Sequence, residues 1–444
     1  MDTLPHQNET PAARRPHVVI VGGGFGGLYA ARRFKHAAVD VTVIDRTNHH
    51  LFQPLLYQVA TAILSPGDIT APIRSLLRKQ RNTTVLMAHV HEVDPARRVV
   101  TIDDERREIP YDYLILAAGA RHSYFGHDDW EPYAPGLKSI EDAMEIRRRF
   151  LLAFEEAEKA GVVGEQAAPL TFVVVGAGPT GVELAGMLAT TAHEAMDEDF
   201  RHIDTRRARI VLLEGGAGVL PTFTASLSAR AQRDLESLGV QVRTGSVVTR
   251  IEEDAVWVGE ERIATQAVFW GAGNAASPLA RGLGAPLDRS GRVQVEPDLS
   301  VPGHPELFVV GDLAAFTQDG KPVPGVAPAA MQEGRWAADN VLRALRGEPR
   351  RPFVYTDKGD LATIGRHRAV GSFNRDRIRI AGRVAWWLWL VVHILYLAGF
   401  RNRASVFVQW AYSYFTYGRG VRLITGEVRR TARPVEASVA VRGW

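Results

Sequence analysis

The chain has 444 residues, which is enough for about three domains at roughly 150 residues per domain. Apolar residues make up 46% and charged residues 23%, so a wholly disordered, collagen-like or coiled-coil chain is excluded. The net charge is only +3 and cysteine is absent, which excludes disulfides, thiolate catalysis, Cys-ligated zinc and iron–sulfur clusters. Any redox chemistry must therefore come from a bound cofactor.

The N-terminal segment, residues 1–17, is polar and has no apolar run. It does not resemble a secretory signal or a transit peptide. We therefore expect the chain to stay in its compartment of synthesis, with residues 1–16 and 431–444 as disordered tails.

The first predicted unit is a strand, a glycine-rich turn, an amphipathic helix and a second strand that ends at Asp45. Such a turn brings the backbone close to a pyrophosphate at the N-terminal end of the helix, and an acid after the second strand binds ribose. The order of the elements disfavours a plain glycine-rich turn. The unit comprises strand 17–21, the glycines Gly22, Gly24 and Gly27, helix 28–35 and strand 39–44.

A second unit of the same kind follows and ends at Glu214. The polar segment 197–207 lengthens its connection, so the spacing argument is weaker, and Glu214 could be a solvated residue at the end of a strand. An acid here favours the free 2′-hydroxyl of NAD over the phosphate of NADP. The unit comprises strand 170–175, the glycines Gly176, Gly178 and Gly181, helix 182–195 and strand 209–213.

Buried strands that run into glycine recur in the rest of the chain. Between the two units we predict alternating strands over 84–110 and a helix over 140–159, and β-like alternation returns over 240–267. A helix opened by Pro328 follows over 329–345. The strands that end near glycine are 112–118 before Gly119, 267–270 before Gly273, and 307–310 before Gly311 and Asp312.

The C-terminal quarter is basic and aromatic. Residues 366–430 contain 12 Arg and no Lys against two acids, and residues 384–400 form a run of 17 uncharged residues. As a helix this run is about 25 Å long, short of the roughly 30 Å hydrocarbon core of a bilayer. Its tryptophans and flanking arginines favour an interfacial membrane anchor, continued by the aromatic segment 406–417. A buried dimerisation helix and a transmembrane helix are the alternatives, and the continuous apolar run disfavours nucleic acid as a partner.

The two glycine units and the segment Leu307 to Asp312 resemble the FAD-dependent pyridine nucleotide-disulphide oxidoreductases. The resemblance implies FAD on the first unit, NAD(P)H on the second, and Asp312 on the ribityl chain of the flavin. Members that use a redox-active cysteine pair are excluded by the composition.

Three longer stretches resemble the type II (alternative, non-proton-pumping) NADH:quinone oxidoreductases over nearly the whole chain. These stretches are Asn48 to Thr61, Tyr111 to Ala120 and Tyr355 to Ile364 with Gly365.

Four candidate catalytic residues are implied by this resemblance. Glu183 points at the nicotinamide and flavin in the family and relays protons there, although a carboxylate in a first helical turn is also favoured without any function. Gln332 matches a Gln-containing helix start, whereas Pro328 and Glu333 stand where the family has glutamines. Lys358 lies close to the flavin in the matching motif, with a solvated lysine as the alternative.

The fold class predicted is α/β, with two Rossmann-like dinucleotide-binding domains and a C-terminal amphipathic helical membrane-anchoring region. The predicted domains are an FAD-binding domain (17–125 and 286–355), an NADH-binding domain (126–285) and the anchoring region (356–430). The cofactors expected are FAD and NAD, without a metal, and the expected cofactor-binding residues are Gly22, Gly24, Phe25, Gly27, Asp45, Gln53, Gly119, Gly311, Asp312, Gly176, Gly178, Gly181, Glu214 and Gly273.

The predicted function is transfer of a hydride from NADH to FAD and of two electrons to a membrane quinone, ubiquinone or menaquinone, without proton pumping. We expect a peripheral protein on the cytoplasmic side of the cell membrane, in contact with the lipid surface, and a homodimer is compatible with the sequence. The alternatives are a reductase of an iron–sulfur electron-transfer protein and an NADH-binding flavoprotein that acts as a sensor or scaffold.

Overall fold

The computed structural model describes residues 14–103, 106–165, 168–374, 376–397, 404, 406–408, 410 and 421–426. The two predicted tails lie outside the described residues, apart from residues 14–16.

The first glycine unit builds the centre of a six-stranded sheet. Its first strand, His17–Val21, matches the predicted bounds and lies between two parallel neighbours. A strand from much later in the chain, His304–Val309, joins the same sheet. In spatial order the strands are Ser300–Val301, His304–Val309, Tyr113–Leu116, His17–Val21, Asp40–Asp45 and Thr83–Met87.

The second glycine unit builds a separate four-stranded parallel sheet. Its central strand, Thr171–Val175, is buried along its whole length, as is typical of a parallel sheet covered on both faces. In spatial order the strands are Val240–Arg243, Arg209–Leu213, Thr171–Val175 and Ala267–Trp270.

Smaller sheets flank the two large ones, and those described here are antiparallel except for the parallel pair Val293–Gln294 with Ala314–Ala315. Before the C-terminal region, the three-stranded sheets are Val90–Asp94 with Val99–Ile102 and Arg107–Pro110, and Val248–Ile251 with Ala255–Val258 and Glu261–Ala264. The two-stranded pairs are His49–Leu51 with Thr70–Pro72, Ala120–His122 with Asn274–Ala276, Val293–Gln294 with Ala314–Ala315, and Thr317–Gln318 with Lys321–Pro322.

The helices begin earlier than predicted at both glycine turns, because the last residues of each turn are already helical. The helix after the second turn begins at Pro179, whose fixed φ suits a first turn. Glu183 therefore lies beyond the first turn, and our expectation that it lies within that turn was wrong. The α-helices are α1 (Phe25–Arg33), α2 (Leu56–Ala60), α3 (Pro66–Ile69), α4 (Ile73–Leu77), α5 (Ile140–Val162), α6 (Pro179–Thr190), α7 (Ala225–Glu236), α8 (Ala327–Leu345) and α9 (Arg383–Tyr396).

Helix α8 packs against α1 so closely that only glycine fits at the contact. A Cβ on Gly334 would lie 2.1 Å from the carbonyl oxygen of Gly26, well inside van der Waals contact. This contact places the first turns of α8, with Gln332 and Glu333, beside the first glycine turn.

The C-terminal region contains a sheet that the sequence analysis missed. Three antiparallel strands, Asp360–Ile364, Arg368–Phe373 and Ile378–Gly382, precede α9. Helix α9 ends at Tyr396, four residues before the end of the apolar run, because Leu397 is extended. Residues 404, 406–408 and 410 are helical, and the rest of the aromatic segment 406–417 lies outside the described residues.

Within the described part of the chain, every helix is too short or too polar to traverse a bilayer.

Candidate active site

The fold requires glycine at the first and third positions of each turn, because any larger residue would clash with the backbone. A Cβ on Gly27 would lie 1.8 Å from the carbonyl oxygen of Gly22, and Gly181 has the same relation to Gly176. Gly22 and Gly176 also have φ values of +104° and +95°, which L side chains rarely adopt. These four glycines make the two tight turns.

The fold does not require glycine at the second position of each turn. Gly24 and Gly178 have φ values of −69° and −67°, and no described atom lies within 4 Å of a Cβ built on either. Each therefore leaves open space at the N-terminal end of a helix, where a pyrophosphate approaches the backbone in a dinucleotide site. The residues present fit a dinucleotide at both turns.

The two predicted ribose-binding acids lie beside these turns. Oδ2 of Asp45 accepts a hydrogen bond from the backbone N–H of Gly23 at 2.6 Å, and Oε2 of Glu214 accepts one from Ala177 at 2.7 Å. Glu214 thus takes the same position as Asp45 in spite of its longer connection.

The other predicted cofactor-binding residues belong to several elements, and Gly273 follows the strand beside the second turn. Gly119, Gly273 and Gly311 all have left-handed backbones, and Asp312 follows in a short helical turn. The ring of Phe25 lies 5.0 Å from that of His50, whereas Gln53 is exposed.

The two candidate catalytic residues of α8 have different hydrogen-bond partners. Glu333 is 3% exposed, and its Oε2 accepts a hydrogen bond from the backbone N–H of Gly311 at 2.5 Å. The amide of Gln332 pairs with the backbone of Thr356 on both sides, accepting at 2.9 Å and donating at 3.0 Å. Glu333 thus holds the Gly311 turn, and Gln332 holds the segment before Lys358, which is itself exposed.

Glu183 lies where three distant parts of the chain meet. Its Oε1 is 3.4 Å from the backbone N–H of Thr363, in the first strand of the C-terminal sheet. The Thr363 hydroxyl lies 2.9 Å from the hydroxyl of Tyr57, on α2. Burial raises the pKa of Glu183 to about 8, which favours the protonated carboxyl at neutral pH.

Tyr57 and Gln58 were quoted in a motif but given no role by the sequence analysis. Tyr57 is 3% exposed, and burial with the neighbouring Glu183 raises its pKa far above the usual range, so its hydroxyl stays neutral. Both residues line a cavity whose other walls include Met187, Arg366 and Trp410. The cavity also borders a π-helical turn at the end of α6, a distortion that is frequent at functional sites.

Family models match most of the chain. The model described as pyridine nucleotide-disulphide oxidoreductase matches residues 16–334. A model described as NDH2 C-terminal domain matches residues 358–420.

Curated relatives agree with the family models, and a solved structure has a similar fold. The type II NADH:quinone oxidoreductases Ndh and NdhA of Mycobacterium tuberculosis are 45% and 44% identical to this chain, over 95% and 96% of it and 93% of each relative. The structure of NDH2 from Plasmodium falciparum in complex with NADH has a TM-score of 0.81 at 21% identity, over 93% of this chain and 100% of that one. This last likeness is one of fold.

The buried carboxyl of Glu333 generates a prediction about stability and pH. Burial raises its pKa from 4.5 to about 7, with the charge of Asp312 adding to the effect. A carboxyl with a raised pKa contributes stability that is complete below about pH 4.5 and is lost as the pH rises through about 7. Glu333→Gln removes this loss, and its amide oxygen can still accept from Gly311.

We expect the free energy of unfolding of Glu333→Gln, relative to the unsubstituted protein, to rise from pH 5 to pH 8 by on the order of 2–3 kcal/mol. Thermal unfolding of the FAD-loaded protein at a series of pH values measures this difference. Glu253→Gln, at an exposed position, is the control and gives a flat difference. A flat difference for Glu333→Gln as well contradicts the prediction.

Proposed function

We infer the function of this chain from its family: it belongs to the pyridine nucleotide-disulphide oxidoreductases and, within them, to the type II NADH:quinone oxidoreductases. It is an FAD-dependent enzyme that oxidises NADH and reduces a quinone. The reaction converts NADH, one proton and a quinone into NAD+ and a quinol, so each turnover takes up one proton.

The observation that carries the proposal is the pair of open glycine turns in a chain without cysteine. Two turns supply two dinucleotide sites, and the absence of thiols leaves no sulfur relay between them. When bound, FAD supplies the redox chemistry, because it accepts a hydride from NADH and returns two electrons to a quinone.

Each dinucleotide has its own set of residues in this proposal. The first turn, with Asp45 on a ribose and Asp312 on the ribityl chain, holds FAD. The second turn and Glu214 hold NADH, and the carboxylate of Glu214 disfavours the 2′-phosphate of NADPH. The open positions at Gly24 and Gly178 support both assignments.

Glu183 is proposed as the group that holds the proton for quinone reduction. Its elevated pKa keeps the carboxyl protonated at neutral pH, which is the state a proton donor requires. Its neighbours Thr363 and Tyr57 are both uncharged and can orient the carboxyl without competing for its proton. The cavity beside Tyr57 is the proposed place for the quinone ring.

The proposed route for the quinone leads from a lipid surface to this cavity. Helix α9 buries one face against the C-terminal sheet, with Trp389 only 1% exposed, and leaves the opposite face apolar and uncovered. The exposed Arg383 begins this helix and the exposed Arg379 lies in the strand before it, where they can contact anionic headgroups. The uncovered face consists of Val384, Trp387, Leu388, Val391 and Leu395, which repeat at helical spacing and include Val384 at 72% and Leu395 at 61% exposure.

We propose that the enzyme lies on the cytoplasmic side of the membrane in contact with its lipid surface, and a homodimer is compatible with this placement. The apolar face of α9 disfavours the iron–sulfur reductase alternative, since a soluble partner does not require it.

The test of the function is an anaerobic double-mixing experiment with the FAD-loaded enzyme. NADH should bleach the flavin absorbance, and a short-chain quinone added next should restore it with one quinol formed per NADH consumed. A flavin that stays oxidised in excess NADH contradicts the assignment. A flavin that is bleached but not reoxidised by quinone favours the sensor alternative.

The membrane proposal is tested by flotation with vesicles of anionic phospholipid. Trp387→Glu with Val391→Glu should weaken binding by about tenfold or more, because each lost apolar side chain removes on the order of 1.5 kcal/mol of burial. The matched control is Val162→Glu with Val163→Glu at the end of α5, where two apolar side chains are likewise exposed, at 61% and 62%. Equal flotation of the two double variants would refute a role for this face of α9.

A further inference from the structure

A chain of buried hydrogen bonds continues from the site into the C-terminal segment. The Tyr57 hydroxyl lies between Oγ1 of Thr363, at 2.9 Å, and Nε2 of Gln58, at 3.0 Å. Oε1 of Gln58 accepts a hydrogen bond from the indole Nε1–H of Trp410 at 2.8 Å. Tyr57, Gln58 and Trp410 are each less than 9% exposed, so water competes little for these bonds.

Trp410 sets the donor-to-acceptor direction of these hydrogen bonds. An indole N–H can only donate, so the oxygen of the Gln58 amide must face Trp410 and its NH2 group must face Tyr57. The Tyr57 oxygen accepts from that NH2 group, so the hydroxyl hydrogen cannot be donated to Gln58, and Oγ1 of Thr363 is its remaining acceptor among the described residues. A tryptophan 353 positions away from Tyr57 therefore decides which way the tyrosine hydroxyl points.

The direction of the Tyr57 hydroxyl matters for Glu183, whose Oε1 approaches the backbone N–H of the same threonine. With the hydrogen of Tyr57 turned towards Thr363, the positive end of the O–H dipole points to the residue that Glu183 contacts, and this favours the ionised carboxylate. If the Gln58 amide were free to rotate, Tyr57 could donate to Gln58 instead. The lone pairs of its oxygen would then face Thr363, and the carboxylate would be disfavoured.

Few other charges bear on Glu183. Tyr57 on α2 is the titratable side chain of the described residues that interacts with it. Asp360, at the start of the strand that contains Thr363, interacts with Asp357 and Asp376 instead. The charged residues of α7 that pack near α6 make their own pairs, such as Arg230 with Asp234.

We propose that Trp410 and Gln58 are positioning residues for quinone reduction, which set the direction of the Tyr57 hydroxyl and through it the proton occupancy of Glu183. The proposal rests on the function proposed above and deepens it. The C-terminal segment then does more than contact lipid, because its docking at Gln58 makes it easier for Glu183 to release its proton.

Trp389 provides a matched control for this proposal. Its ring lies 5.3 Å from that of Trp410 in the same buried cluster, yet its Nε1 has no hydrogen-bond partner among the described residues. Trp410→Phe removes the N–H that orients Gln58, and Trp389→Phe removes an N–H that orients nothing. Both variants keep an aromatic ring in place.

The test is a pH titration of the FAD-loaded enzyme by difference infrared spectroscopy, which follows the C=O band of protonated Glu183 without turnover. Glu183→Gln identifies the band by its loss. We expect Trp410→Phe to shift the apparent pKa of Glu183 upward, and Trp389→Phe to leave it at the value of the unsubstituted enzyme. Tyr57→Phe should also shift it upward, because it removes the O–H dipole.

Gln58→Met, which keeps the side-chain length, replaces Trp410→Phe if that variant does not fold, and should give the same upward shift. An unchanged pKa in Trp410→Phe or Gln58→Met, a downward shift, or an equal shift in both tryptophan variants overturns the proposal. Failure of the proposed function gives a different result, because the unsubstituted enzyme would then not reduce quinone whatever the position of the band.

Discussion

The contact between the hydroxyls of Tyr57 and Thr363 joins parts of the chain that are 306 residues apart. Glu183, which approaches the same threonine, comes from a third part, the helix after the second glycine turn. The parts of the chain proposed to bind FAD, NADH and the membrane therefore meet within a few ångströms. A proton held there lies near the cavity that Tyr57 lines.

The residues that fix the position of Tyr57 also make buried polar contacts. Arg147, on α5, is 1% exposed and donates from Nε to the carbonyl of Val59 and from Nη2 to that of Leu64, both at 2.7 Å. These two bonds hold the end of α2 and the residues after it, and thus the position of Tyr57. A buried polar network of this kind is costly unless its members are paired, so it favours one arrangement of α2 over nearby alternatives.

Local patterns were sufficient to predict the parallel sheets, the two glycine turns and the acids that follow them. Strand periodicity and glycine spacing act over a few residues, and even Glu214, with its long connection, lies beside its turn as Asp45 does. The start of α6 was misjudged because Pro179 and the end of the glycine turn are helical. The sheet over residues 360–382 was not predicted, because the arginines and aromatic residues of this region are also typical of a helix at a membrane surface.

The junction itself could not be predicted in the same way. Nothing in the neighbourhood of Tyr57 in the sequence indicates that it contacts Thr363, or that Gln58 accepts from Trp410, because these contacts exist only after the three parts of the chain have packed. Likewise, Gln332 and Glu333 are adjacent in sequence but face different partners, since helical geometry turns neighbouring side chains about 100° apart. A motif match identifies such residues in the sequence, but the fold determines which groups each of them contacts.

The most direct test of the proposed role of Glu183 is the pH dependence of the quinone-reducing step in the unsubstituted enzyme and in Glu183→Gln. If a protonated Glu183 supplies the proton, the rate in the unsubstituted enzyme falls as the pH rises through about 8. In Glu183→Gln this fall is absent, and the rate at neutral pH is lower by about 100-fold. The same decline through pH 8 in both proteins, with equal rates at neutral pH, would contradict the central role given to this carboxyl.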